Sequence, residues 1–159
     1  MPNLTTRTKK PSPLSLLALH TLLLCTSFIT SSAKATSYNV VDFGAKPDGA
    51  TDATAAFLSA WNKACSSVKP AGIHVPQGRF LIAGAVTFRG QCANRAISIT
   101  IRGTLVAPTQ YTFVGNSLYW LTFDQVSRVS IHGGVLDARG TFLWDCKYKA
   151  TPNCPIGAA

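Results

Sequence analysis

The sequence predicts an all-β protein, a parallel β-helix of short stacked strands with one helix at its N-terminal end. Three observations predict it. Charged residues make up only 13% of the 159 residues, and all 6 acids are Asp. Solvent-facing helix positions favour Glu and Lys, so this composition excludes a coiled coil and a charge-driven disordered chain. From Ile73 onward, β-branched runs of three to six residues alternate with Gly, Pro and Asn, and no helical spacing interrupts them. Finally, Ser98-Ile99-Thr100-Ile101-Arg102-Gly103-Thr104-Leu105 resembles Ser127-Arg128-Val129-Ser130-Ile131-His132-Gly133-Gly134-Val135-Leu136. Aligning Gly103 with Gly133 gives a period of 30 residues, each unit reading strand, glycine corner, strand. Repeats of 20–50 residues are the mark of a solenoid. A sandwich would show hairpin turns of Asn-Gly or Asp-Gly type, and few are present.

The first 35 residues read as a secretory leader rather than as fold. Arg7, Lys9 and Lys10 form a basic start, Leu14–Ile29 is a Leu-rich run, and Ala33-Lys34-Ala35 is a small-x-small site, so cleavage is expected after Ala35. The run has 16 residues and includes His20, Thr21, Thr26 and Ser27. A membrane span wants about 20 predominantly apolar residues, so no stable membrane insertion is expected once the leader is removed. Losing Arg7, Lys9, Lys10 and Lys34 takes the formal charge from +9 to +5. A mildly basic secreted protein points to polyanionic extracellular partners. No block of Lys/Arg with interleaved aromatics is present, so nucleic acid is not expected.

The organisation is therefore a signal peptide, 1–35, and one domain, 36–159. Tyr38 to Gly44 reads as a short β-rich run closed by Gly, and Lys46-Pro47-Asp48-Gly49 as a turn. Thr51 or Asp52 is placed to N-cap the helix Ala53–Ser66. Its Phe57, Ala60, Trp61, Ala64 and Cys65 recur at three-to-four spacing, and Pro70 and Gly72 end the segment. Strands are expected at Ile73–Val75, Arg79–Ile82, Val86–Phe88, Ile97–Arg102, Thr104–Val106, Trp120–Phe123, Val129–His132 and Val135–Leu136.

Of five cysteines, Cys25 lies in the leader, and Cys65, Cys92, Cys146 and Cys154 remain. An even count in a secreted chain reads as two disulfides, with three connectivities open; nearest-neighbour pairing, Cys65–Cys92 and Cys146–Cys154, is favoured. The spacing is not C-x-x-C, so no metal site is expected.

A family resemblance then becomes specific. Tyr38-Asn39-Val40-Val41-Asp42-Phe43-Gly44-Ala45-Lys46-Pro47-Asp48-Gly49, followed by Thr51-Asp52, Ala56-Phe57, Trp61 and Ala64-Cys65, resembles the opening of plant polygalacturonases. The match runs on through Val75-Pro76-Gln77-Gly78-Arg79-Phe80-Leu81, Phe88-Arg89-Gly90-Gln91-Cys92 and Gly103-Thr104-Leu105-Val106-Ala107-Pro108. It ends with Gly134-Val135-Leu136-Asp137-Ala138-Arg139-Gly140, Trp144 and Cys146 to Cys154. The resemblance implies a right-handed parallel β-helix of the pectin-lyase-like type, here its N-terminal coils with one capping helix. It implies a secreted, extracellular cell-wall glycoside hydrolase, monomeric when full length. Its substrate would be pectin (homogalacturonan), cleaved at α-1,4-galacturonosyl bonds with inversion and no cofactor.

Inversion needs a general acid and a general base about 6.5–9.5 Å apart, with water between them. The family carries this chemistry on an Asn-Thr-Asp motif, an Asp-Asp pair, a Gly-His-Gly motif and an Arg-Ile-Lys motif. None is in this sequence; the resemblance places them C-terminal to this segment, so no catalytic residue is assigned and the chain is expected to be inactive alone. A secreted non-catalytic module that binds pectin or a partner is the alternative, and a β-helix lyase is disfavoured by the opening motifs.

The residues present offer weaker candidates, each with a structural reading. His132 precedes Gly133-Gly134 in the wrong order for Gly-His-Gly and reads as a corner histidine, with His74 weaker still. Asp124, Asp137 and Asp145 are the late carboxylates, Asp137 reading as a turn cap through local backbone bonds. Arg89, Arg95, Arg102, Arg128 and Arg139 could touch pectate carboxylates but read first as solvated corners. Tyr119, Trp120 and Trp144 could stack on sugars, although Trp120 fits better in an interior row.

Overall fold

A computed structural model describes residues 35–110, 117, 119–150, 152 and 154, all in the compact unit Ala33–Ala159. The expected leader lies outside the described residues. Among the described residues, ten strands form three sheets, and every strand pairing is parallel. The first sheet joins β1 (Thr36–Asn39), β3 (Ala71–Val75), β6 (Ile97–Ile101) and β9 (Val129–His132) in that order. The second joins β2 (Asp48–Asp52), β4 (Arg79–Leu81), β7 (Thr104–Val106) and β10 (Val135–Asp137); the third pairs β5 (Val86–Arg89) with β8 (Leu121–Asp124).

In chain order, the second and third passes each visit the first, second and third sheets in turn. The first pass ends instead in helix α1 (Thr54–Ser66), and the fourth in helix α2 (Thr141–Tyr148). Successive strands of the first sheet are offset by 35, 26 and 32 residues, from Thr36 to Ala71, Ile97 and Val129.

Alternation along each strand sends one face inward, and parallel register stacks like on like. Ile73 lies against Ile99 and Ile99 against Ile131, Phe80 against Leu105 and Leu105 against Leu136, and Phe88 against Phe123. The Phe88 and Phe123 rings stack with centroids 5.0 Å apart, and Trp61 of α1 lies on both, at 5.3 and 5.7 Å. The Trp61 Nε1–H donates to the Arg89 carbonyl at 2.9 Å, which pairs its polar atom inside the core. Phe57 meets Phe80 edge-on, joining α1 to the second sheet. The Cys65–Cys92 disulfide and the buried Asn94, whose Nδ2–H donates to the Ala64 carbonyl at 3.2 Å, fix the end of α1. A second disulfide joins Cys146 to Cys154.

The corner glycines have a steric reason. A Cβ at Gly103 would strike the carbonyl oxygens of Gly78 and Pro76 on the preceding pass. Gly133 and Gly134 both have left-handed φ, +72° and +76°, which L side chains resist. The observed register pairs Thr104 with Val135, so Gly103 stands opposite Gly134 rather than Gly133; the second corner simply holds one more glycine.

Four local expectations are corrected. The run from Tyr38 is a strand only to Asn39; Val40–Phe43 is a 3-10 helix, because the Asn39 Oδ1 accepts from the Val41 N–H and Gly44 closes the turn at φ +98°. Asp48 and Gly49, expected in a turn, begin β2. A second helix, α2, follows the last strand. Helix α1 starts at Thr54, so its N-cap is Ala53, which makes no side-chain cap bond, and not Thr51 or Asp52; Asp52 stands one residue outside, its Oδ1 accepting from the Thr54 N–H and hydroxyl at 2.9 and 2.6 Å.

The interior rows fade at the last pass. Phe80 is fully buried, whereas Leu136 is 61% and Ile131 52% exposed. Phe80→Ala is therefore expected to cost about 3–5 kcal/mol and Leu136→Ala under about 1 kcal/mol in denaturant unfolding. Equal costs would mean that Leu136 is covered.

Candidate functional site

The inward rows leave the alternate residues on the outer faces, where ligands could reach them. On the third sheet these are Thr87 and Arg89 of β5 beside Thr122 and Asp124 of β8. The Arg89 Nε–H donates to the Asp124 Oδ2 at 3.0 Å. On the second sheet, Arg79 of β4 reaches over β7 to Asp137 of β10, its Nη2–H donating to Oδ2 at 2.9 Å. The other oxygen of Asp137 accepts from the Arg139 N–H at 3.2 Å, the local turn bond expected of it. Asp145 lies 3.6 Å from Lys149 one turn along α2.

The three late carboxylates thus sit on three elements, each against a different cation. A general acid for glycoside cleavage needs its pKa raised. The hydrogen bond from Arg79, then that from the Arg139 backbone, holds the Asp137 carboxyl below its ordinary value. Among the described residues, no group of three or more His, Cys, Asp or Glu is placed to hold a metal ion.

The first sheet carries a different outer face. Its alternation and register line up His74, Thr100 and His132, and beside them Ser98 and Ser130. Arg102 stands one residue beyond β6, and Arg95 and Arg128 stand just before β6 and β9. Of the aromatic candidates, Trp120 faces the core, its Nε1–H donating to the Ile82 carbonyl at 3.2 Å, while Tyr119 and Trp144 are exposed. Lys147 lies over the Trp144 ring, 5.5 Å from its centroid. At the last pass an apolar cavity of about 260 Å³ opens between Phe88, Ile99, Leu105, Phe123, Ile131 and Leu136.

Sequence reasoning had no means of pairing Arg79 with Asp137, which are 58 residues apart. The only signal was the repeat itself, which sets the two residues two strands apart on one sheet.

Comparison with known proteins places this architecture. The family profile for "Rhamnogalacturonase A/epimerase, pectate lyase-like" matches residues 37–139. The chain belongs to this pectate lyase-like family. Its relatives include a polygalacturonase of Prunus persica, 49% identical over 143 residues, covering 89% of this chain and 36% of that protein. A polygalacturonase of Malus domestica is 38% identical over 128 residues, 79% of this chain and 27% of that protein. Polygalacturonase-2 of Solanum lycopersicum is 35% identical over 118 residues, 74% of this chain and 26% of that protein. The resemblance to plant polygalacturonases is thus borne out, and this chain spans about a quarter to a third of the length of the relatives it matches.

Arg79→Gln is expected to raise the Asp137 pKa toward the ordinary carboxylate value, read from the Asp137 carboxyl by NMR titration. The depressed pKa favours the folded state above the ordinary carboxylate pKa, and this contribution is lost as pH falls through the folded value. An unmoved titration in the variant would show that Arg79 does not hold the carboxylate.

Proposed function

We propose that this chain is polygalacturonase-like, directed at the α-1,4-galacturonosyl bonds of pectin in the plant cell wall. The supporting observation is the 49% identity to the peach polygalacturonase over 89% of the chain, on a framework of three parallel sheets. In this reading the sheets are the sides of a right-handed parallel β-helix, and α1 covers its first pass with Phe57, Ala60, Trp61 and Ala64, which the structure buries. The protein is secreted to the cell wall after removal of residues 1–35. Among the described residues no helix is long and apolar enough to cross a membrane.

Hydrolysis in this reading requires catalytic side chains outside these 159 residues. Asp124, Asp137 and Asp145 are each tied to a cation, and none of the family's four catalytic motifs occurs in the sequence. The same ion pairs favour a second reading, a non-catalytic module that binds pectin, because the exposed Arg95, Arg102 and Arg128 beside the first sheet have no ion-pair partner among the described residues.

Incubation of the purified 159-residue protein with polygalacturonic acid tests both halves. Retention on the polymer with no new reducing ends is expected. Clear turnover contradicts the absence of catalysis, and no retention at all contradicts the pectin reading.

A further inference from the structure

The two ends of the stacked strands differ. At the first pass the apolar side chains are covered: Val40, Ala45 and Ala53 are at most 2% exposed, and α1 packs on the 3-10 turn that holds Val40. At the last pass they are not. The inward Ile131 and Leu136 are more than half exposed, and the apolar cavity opens beside them.

The same rung leaves three strand edges open. Among the described residues β8, β9 and β10 each end their sheet, with a neighbour strand on one side only. A row of backbone N–H and C=O groups therefore faces away from the stack, and such an edge is a template for another strand. The uncovered apolar centre of the rung demands an apolar partner as well. A polypeptide that brings strand edges around an apolar centre of the same outline meets both demands, and a second copy of this chain carries them.

We propose that two copies of this 159-residue chain dimerise end to end through this rung, Leu121–Asp137. The apolar row of the first pass is already covered, so a second copy has only the same rung to present. The contact is then isologous and closed, not a growing fibre. A twofold axis through the first sheet sets β9 antiparallel to its own copy, with Ile131 opposite Ile131. It exchanges the other two sheets, so that β8 meets the copy's β10. Leu121 and Phe123 then face Leu136 across the joint, and the cavity is closed from both sides. Centring on Ile131 keeps inward residues opposite inward ones and sets Ser130 opposite His132 on the outer face. Standard interfaces bury about 800 Å² per partner with roughly 20–30 residues a side. The 17 residues of this rung therefore bury on the order of 1,000 Å² over both copies, the area at which a specific interface begins. None of this depends on what the chain binds.

Sedimentation equilibrium of the purified full chain is the test, with two double variants of equal charge gain. Ile131→Lys with Leu136→Lys alters the rung, and Val41→Lys with Val68→Lys alters exposed valines near the first pass. Melting temperature verifies folding. The unmutated chain is expected to reach twice the monomer mass and no more. The rung variant is expected to dissociate at least about a hundredfold more readily, and the control to change under about threefold. The small cost of Leu136→Ala given above then holds below the dissociation constant and rises with protein concentration. Should the rung variant fail to fold, Ile131→Cys gives an independent reading. Opposed residues of antiparallel strands stand about 4.5–5.5 Å apart, within reach of a disulfide. Air oxidation is expected to give a covalent dimer of that variant on a non-reducing denaturing gel, whereas Ala55→Cys, exposed on α1, stays monomeric. A monomer at every concentration, assemblies larger than two, equal sensitivity to both double variants, or no covalent dimer from Ile131→Cys overturns the proposal.

Discussion

Ile73, Ile99 and Ile131 lie one above the next in parallel register, and that alignment determines the orientation of every other side chain in their strands. A slip of one residue would turn the isoleucines to solvent and bring Ser98, Thr100 and Ser130 into the core. The same register stacks Phe80 on Leu105 and Phe88 on Phe123, and it aligns the corners so tightly that Gly103 has no room for a Cβ between Pro76 and Gly78. Trp61 exploits the result: α1 can lie across Phe88 and Phe123 because those two rings already form a continuous stack.

Surface chemistry follows from the same alignment. Arg89 meets Asp124 because they are register partners on adjacent strands, and Arg79 meets Asp137 because two passes bring β4 and β10 to either side of β7. These pairs are exposed, so each adds little stability. Their larger consequence is for charge: they neutralise Arg79 on the second sheet and Arg89 on the third, whereas Arg95, Arg102 and Arg128 beside the first sheet have no ion-pair partner among the described residues. A carboxylate held by a guanidinium has its ionised form favoured, the opposite of what protonating a glycosidic oxygen requires.

Much of this was legible in the sequence where the signal is local. The β-branched runs marked β3 to β10, each observed boundary falling within two residues of the expected one. The three-to-four spacing of Phe57, Ala60, Trp61 and Ala64 marked α1, and the ordered motifs from Tyr38 to Gly140 marked the family. Helix α2 was not legible, because of its residues only Cys146 is buried, so no apolar stripe appears in the sequence. The 3-10 turn at Val40 was hidden for a similar reason: valines read as strand, and a side-chain bond from Asn39 overrides them. The ion pairs and the asymmetric placement of the cations were beyond sequence reasoning, since they depend on offsets of 25 to 35 residues that vary from pass to pass.

The parallel register is tested most directly by inter-strand NOEs in the labelled protein. Cross-peaks are predicted to connect β3 with β6 in the Ile73–Ile99 alignment and β6 with β9 in the Ile99–Ile131 alignment. Peaks that place Ile131 beside Ser98 or Thr100, or an antiparallel pattern between β6 and β9, would contradict it.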